Sequence, residues 1–275
     1  MSLYSMVEQY ASLGDHRAGT RVDRDTVDWF CGELDNLGAK VEVSSFDIDV
    51  YRSQSRVSID GHEVPSIPLY YESVGHQNTT SIARSVLDVR SYYAAFEDLG
   101  ALIREAHNTT REALVIATRC ANDSIYAINR KPVLGSGLPT MLVAGRSSEQ
   151  IFEADIEVEL NATIVPGLSY NVTGELGGTN QPAVIITTPL SGWFTCAGER
   201  GTGIAIALSL AKKLVELTPV KLVGTSAHEL YYAGGWEYTK SVVQPPPLVV
   251  HIGSSVAASM SVPCAGVAPL SSDLQ

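Results

Sequence analysis

The sequence is poor in cysteine, in charge overall and in positive charge above all. Its four cysteines, Cys31, Cys120, Cys196 and Cys264, are too scattered for a CxxC metal site or a small disulfide framework, so reduced, buried thiols are expected. Charged residues make up 18% of the 275 positions, and Asp plus Glu outnumber Lys plus Arg by 30 to 19. With no basic run of five or more residues, nucleic acid is excluded as the expected partner. No apolar stretch reaches the roughly 18 residues of a membrane span, so none is expected. The opening MSLYSMVEQYASLGDHRAG lacks a basic segment followed by an apolar one; no signal peptide is read there, and a cytoplasmic location is the expectation. Five N-x-S/T sequons, opened by Asn78, Asn108, Asn122, Asn161 and Asn171, point the other way, toward secretion with glycosylation.

What is present is a chain 45% hydrophobic, long enough for one large domain or two ordinary ones. From Val22 to Leu37 apolar residues recur at helical spacing, with Gly38 at the expected stop. Val41, Val43, Phe46, Ile48 and Val50 then alternate as a strand, with a bulge expected near Ser44–Ser45. Between about Asp60 and Pro166 short strands and turns surround one helix, Tyr92 to His107. That block, 60–166, reads as an inserted β-rich α+β domain, leaving 1–59 and 167–275 as a discontinuous core. From Tyr170 onward NVTGEL, AVIITT, a helix from Thr202 to Leu217, VKLVGTSA, a helix from Tyr231 to Ser241 and PLVVHI alternate strand and helix. An α/β fold with a mostly parallel central sheet and helices on both faces is therefore expected, its ligands gathered at the C-terminal strand ends.

Three stretches converge there: TTPLSG, CAGERGTG and SAHEL. SAHELYY is not an H-E-x-x-H zinc motif, because Tyr232 holds the place of the second histidine. Glycines at 198, 201 and 203 spell G-x-x-G-x-G, neither a dinucleotide fingerprint nor a Walker loop, and more often serve close strand–helix packing. Cys196 near a helix start could have a lowered pKa and act with His228 as a nucleophile, against the alternative of an inert buried thiol. Tyr231, Tyr232 and Trp236 could line a pocket or simply pack.

In order and spacing these stretches, with YNVTGELGG ahead of them, resemble the di-zinc aminopeptidase family that includes bacterial leucyl aminopeptidase and glutamate carboxypeptidase II. HRAGTRVDRDTVDWFCGELDNLGAKVEVSSF looks like that family's opening helix and strand, and the 60–166 block like its protease-associated domain. The resemblance implies a zinc exopeptidase fold. It also implies that the family's His-x-Asp, a zinc ligand and the aspartate that orients it, is replaced here by Pro189 and Ser191. Its bridging aspartate is matched by Glu199, its Glu-Glu general base and ligand by His228 and Glu229, and its fourth ligand by His251. The family's later histidine ligand is not reached before Gln275.

Two readings follow. In the first, the metal centre is degenerate, ordinary aminopeptidase activity is absent, and the cleft binds a peptide or protein. In the second, Glu199, Glu229 and His251 hold one divalent metal, zinc or a similar ion, with His228 at the general-base position of a divergent hydrolase. A simpler role for the His228–Glu229 pair is structural: His228 bonded to backbone and Glu229 capping the following helix.

Overall fold

The computed structural model describes residues 2–90, 92–128, 137–178, 184–242 and 248–253. Cys264 lies outside them. The chain opens with α1 (Leu3–Ser12) and α2 (Arg21–Asn36). Thr20 caps α2 by accepting from the Asp23 amide, and Val27, Phe30 and Leu34, one helical face, have no solvent exposure.

A long strand, β1 (Lys40–Ile59), turns at Asp60–Gly61, both with positive φ, into β2 (His62–Val64). Next come β3 (Ser66–Pro68), β4 (Gly75–Thr79), β5 (Ile82–Asp88), α3 (Tyr92–His107), β6 (Ala113–Arg119) and β7 (Thr140–Ala144). A short α4 (Gln150–Glu153) leads into the second long strand, β8 (Ile156–Leu176). The remainder alternates β9 (Val184–Pro189), α5 (Thr202–Leu214), β10 (Val220–Thr225), α6 (Ala233–Ser241) and β11 (Val249–His251).

Among the described residues, seven strands form the main sheet in the order β11-β9-β10-β8-β1-β2, with β4 also paired to β8. Four more form a second sheet, β3-β7-β6-β5. The α/β expectation holds, with the central sheet flanked by helices. Its parallel part is confined, in the main sheet, to β9 with β10 and β9 with β11, where helices supply the crossovers; β1, β2, β4 and β8 pair antiparallel. The expected bulge near Ser44–Ser45 is absent: Lys40↔Glu175 through Ile59↔Ile156 is one unbroken register, Ser44 facing Asn171 and Ser45 facing Tyr170. β8 runs through residue 166 without interruption.

One core lies between the main sheet and α1, α2 and α5, built from Phe30, Leu34, Val172, Ile186, Ile204, Leu208 and Leu222. In the second sheet strict alternation divides the side chains. Val115, Ala117, Met141 and Val143 face the β1–β8 ribbon, while Leu114, Ile116 and Leu142 meet Leu99 and Ile103 of α3. Two close approaches require glycine: a Cβ at Gly174 would come within 2.7 Å of Leu34, and one at Gly234 within 2.3 Å of the Ser226 carbonyl.

The sequons divide as well. Asn78, Asn108, Asn122 and Asn161 are exposed, whereas Asn171 is 2% exposed, with Nδ2 donating to the Gly234 carbonyl and Oδ1 accepting from the Ser226 amide. A glycan at Asn171 is incompatible with this fold. Among the described residues no helix is long and apolar enough to cross a membrane.

Candidate functional site at the strand ends

β9 and β10 end side by side, Pro189 in register with Thr225, and the loops beyond them hold the candidate residues. Ser191 is the hub. It is 1% exposed; its Oγ donates to Glu229 Oε2 at 2.6 Å and accepts from the His228 amide at 3.1 Å. Its carbonyl accepts from Arg200 Nε at 2.9 Å. Ser191 thus holds the SAHEL loop through Glu229 and the His228 amide.

Glu229 is 4% exposed, and its second oxygen accepts from the Ala18 amide at 2.5 Å. Burial pushes its carboxyl pKa up, and the two hydrogen bonds oppose that shift. The carboxylate therefore faces the α2 entry loop. The alternative of a helix cap is not observed either, since α6 begins only at Ala233, behind Tyr232, with no side-chain cap.

That loop is held by a buried network which the sequence reading did not anticipate. The Asp23 carboxylate accepts from the Gly19 amide at 2.9 Å, from Ser169 Oγ at 2.8 Å and from Ser226 Oγ in a very short contact. Asn171 ties Ser226 to Gly234. A buried polar group without partners would be costly, so these bonds fix α2, β8 and α6 against the SAHEL loop. Ala227, Tyr231 and Tyr232 take left-handed backbone conformations there, φ 56°, 55° and 61°, which non-glycine residues adopt only under constraint. The only hint in the sequence was the S/T/D/N chemistry of Asp23 near a helix start.

His228 and His251 look into a different space. With Thr187, Pro189, Tyr232 and Trp236 they line a largely apolar groove of about 640 Å³. Neither Glu199 nor Glu229 is among its lining residues. Burial, then the charge of Arg200 and the neighbouring His251, lowers the His228 pKa to about 3. At neutral pH the ring is an uncharged, very weak base, poorly matched to the general-base position. Its ring and that of Tyr232 lie nearly perpendicular, with centroids 4.5 Å apart. His251 Nδ1 bonds Thr187 Oγ1 at 2.8 Å. Of the three aromatic candidates, Tyr232 and Trp236 line the groove and Tyr231 does not.

Glu199 and Arg200 sit in a π-helical turn, Ala197–Gly201, entered through Cys196 in the left-handed conformation. Glu199 Oε1 pairs with Arg200 Nη2 at 2.9 Å. Cys196 Sγ donates to Glu199 Oε2 at 3.6 Å, and burial followed by the Glu199 charge pushes the thiol up to about 12. Of the two readings of Cys196, the inert buried thiol is the one the structure favours: a buried thiol beside a carboxylate resists ionisation.

The donor set does not fit a metal as the resemblance implied. Glu199 is bound to Arg200, Glu229 to Ala18 and Ser191, and the two imidazoles face the groove. Among the described residues no group of three or more His, Cys, Asp or Glu side chains is placed to hold a metal ion. The expected cluster of Glu199, Glu229 and His251 as ligands, with His228 as base, is thus not assembled, because each carboxylate already has a protein partner.

The architecture is that of the zinc aminopeptidases. The chain is similar to a peptidase M28 precursor from Shewanella amazonensis, with a TM-score of 0.72 at 20% identity over 86% of this chain and 66% of that one. It is also similar to the zinc aminopeptidase of Bacillus subtilis, TM-score 0.67 at 16% identity over 88% of this chain and 65% of that one. An aminopeptidase from Aneurinibacillus gives 0.55 at 14% identity over 88% and 66%. Identities this low establish the shared fold alone, and the chain spans just under two thirds of each structure. No family model and no curated protein matches the chain.

Proposed function

We propose that this chain is a zinc-aminopeptidase-fold protein whose metal centre is degenerate and whose strand-end groove binds a peptide or an unstructured protein segment. One observation carries the reading: the carboxylates and the imidazoles that an aminopeptidase would direct to one point serve different surroundings. Glu229 and Glu199 are bound to protein groups, while His228 and His251 line the groove.

The groove supports peptide recognition on ordinary grounds. It is concave, chiefly apolar and edged by Tyr232 and Trp236, 58% and 65% exposed, with two neutral imidazoles to orient polar groups. The test is a peptide-library titration followed by tryptophan fluorescence, with Trp236→Phe as control, beside an assay for released amino acids with zinc supplied. Saturable binding lost in Trp236→Phe, without release, is expected. Amino-acid release abolished by Glu229→Gln refutes the reading.

A further inference from the structure

Arg200 had no place in the sequence reading beyond the glycine pattern around it, yet it is the most buried cation in the site. Its side chain is 2% exposed. Nη2 holds Glu199, Nε donates to the Ser191 carbonyl, and Nη1 is buried without a partner among the described residues. The room is made by Gly192, where a Cβ would come 3.4 Å from Arg200 Nε and 2.6 Å from Cys196 Sγ. Its charge also reaches both groove imidazoles, lowering the pKa of His228 and of His251 in each case after burial.

One guanidinium is thus in bonding contact with Glu199 and Ser191 and in electrostatic reach of His228 and His251. A guanidinium has five donors and no lone pair, so it engages the same carboxylate and carbonyl oxygens that a divalent ion would and repels that ion. We propose that Arg200 is the resident cation of this centre, a covalently held positive charge that neutralises Glu199 and ties the 191 loop to the start of α5, so that the chain keeps its strand-end architecture without a divalent metal. The inference is independent of what the groove binds, and it survives if no peptide is found.

The experiment combines metal analysis with thermal unfolding on the intact chain. After dialysis against zinc and removal of free ion, the native protein is expected to hold well under one zinc per chain, with a melting temperature unmoved by zinc or chelator. Arg200→Met keeps the aliphatic stem and removes the charge; with Glu199 half exposed, a fall of about 5 °C is expected, partly restored in Arg200→Lys. Should Arg200→Met fail to fold, Glu199→Gln removes the paired charge from the solvent side and is expected to lower the melting temperature by a smaller step. Two results overturn the proposal: near-stoichiometric zinc in the native protein that disappears in Glu199→Gln, or an Arg200→Met variant, or a Glu199→Gln variant in its stead, as stable as the native chain.

Discussion

Lowering the pH from 7 to 5 should destabilise this protein through His16, by an amount the structure sets. His16 is fully buried, stacked on Tyr10 at 3.7 Å, and its Nδ1 bonds Thr26 Oγ1 at 2.7 Å. The Thr26 hydroxyl gives its own proton to the Val22 carbonyl, so Nδ1 must be the donor and Nε2 carries a lone pair with no partner among the described residues. Protonation would place a charge in a buried site, where the Tyr10 backbone and the Asp15 charge offset only part of the lost hydration. Burial accordingly lowers the pKa from 6.5 to about 4. A depressed folded-state pKa contributes stability that is present above 6.5 and lost as pH falls through the window toward 4. At about 1.36 kcal/mol per pH unit, the loss between pH 7 and pH 5 is about 2 kcal/mol, levelling near about 3 kcal/mol below pH 4. His228 acts with the same sign, and the buried carboxyls of Asp23 and Glu229, with raised pKa values, act with the opposite sign. Comparison with His16→Asn, which can still donate to Thr26, cancels these other groups. Urea unfolding of both proteins at pH 7 and pH 5 is the assay. The native chain should lose about 2 kcal/mol more than the variant, and equal losses within about 0.5 kcal/mol would refute the assignment of a neutral, unsolvated ring.

Other outcomes follow from the same network. Tyr231→Gly relieves a left-handed backbone at a half-exposed residue and should stabilise by up to about 1 kcal/mol in urea unfolding. Gly234→Ala would drive a Cβ into the Ser226 carbonyl and Asn171, and should cost about 3 kcal/mol or more by the same measurement. Asn171→Ala removes the acceptor of the buried Ser226 amide and the donor to the Gly234 carbonyl, with an expected loss of about 2 kcal/mol. Iodoacetamide at pH 8, read by peptide mass mapping, should leave Cys196 unlabelled in the folded chain while the partly exposed Cys31 and Cys120 react; rapid folded-state labelling of Cys196 would contradict its placement.

Much of the fold was legible because it is written locally. The helices near 22–37, 92–107 and 202–217, and the strands β6, β9 and β10, each declare a period or a boundary in their own residues. The long ribbon was legible only as far as Val50, since Arg52, Gln54 and Arg56 follow on and hide the alternation. Pairing over so large a separation leaves no local mark. At the site, position within the motifs was readable but partnership was not. Glu229 binds Ala18 from the far end of the chain, and Asp23 binds Ser169 and Ser226. Whether a carboxylate faces a metal or an amide depends on such long-range partners, which is why Glu229 looked like a retained ligand. Arg200 carries no such signal in the sequence because arginine offers no lone pair to a metal, although its chemistry is what gives Glu199 its partner.

The unbroken ladder from Lys40↔Glu175 to Ile59↔Ile156 has a consequence for biogenesis. During synthesis β1 leaves the ribosome long before β8 exists, so it must wait, paired only at its end with the short β2, while the whole second sheet is made. Closing so large a loop is slow, and a largely unpaired twenty-residue strand is an invitation to intermolecular pairing. The residues that obscured the strand in the sequence, Arg52, Gln54 and Arg56, are suited to this interval: polar side chains on an exposed edge guard the nascent chain against aggregation until its partner arrives.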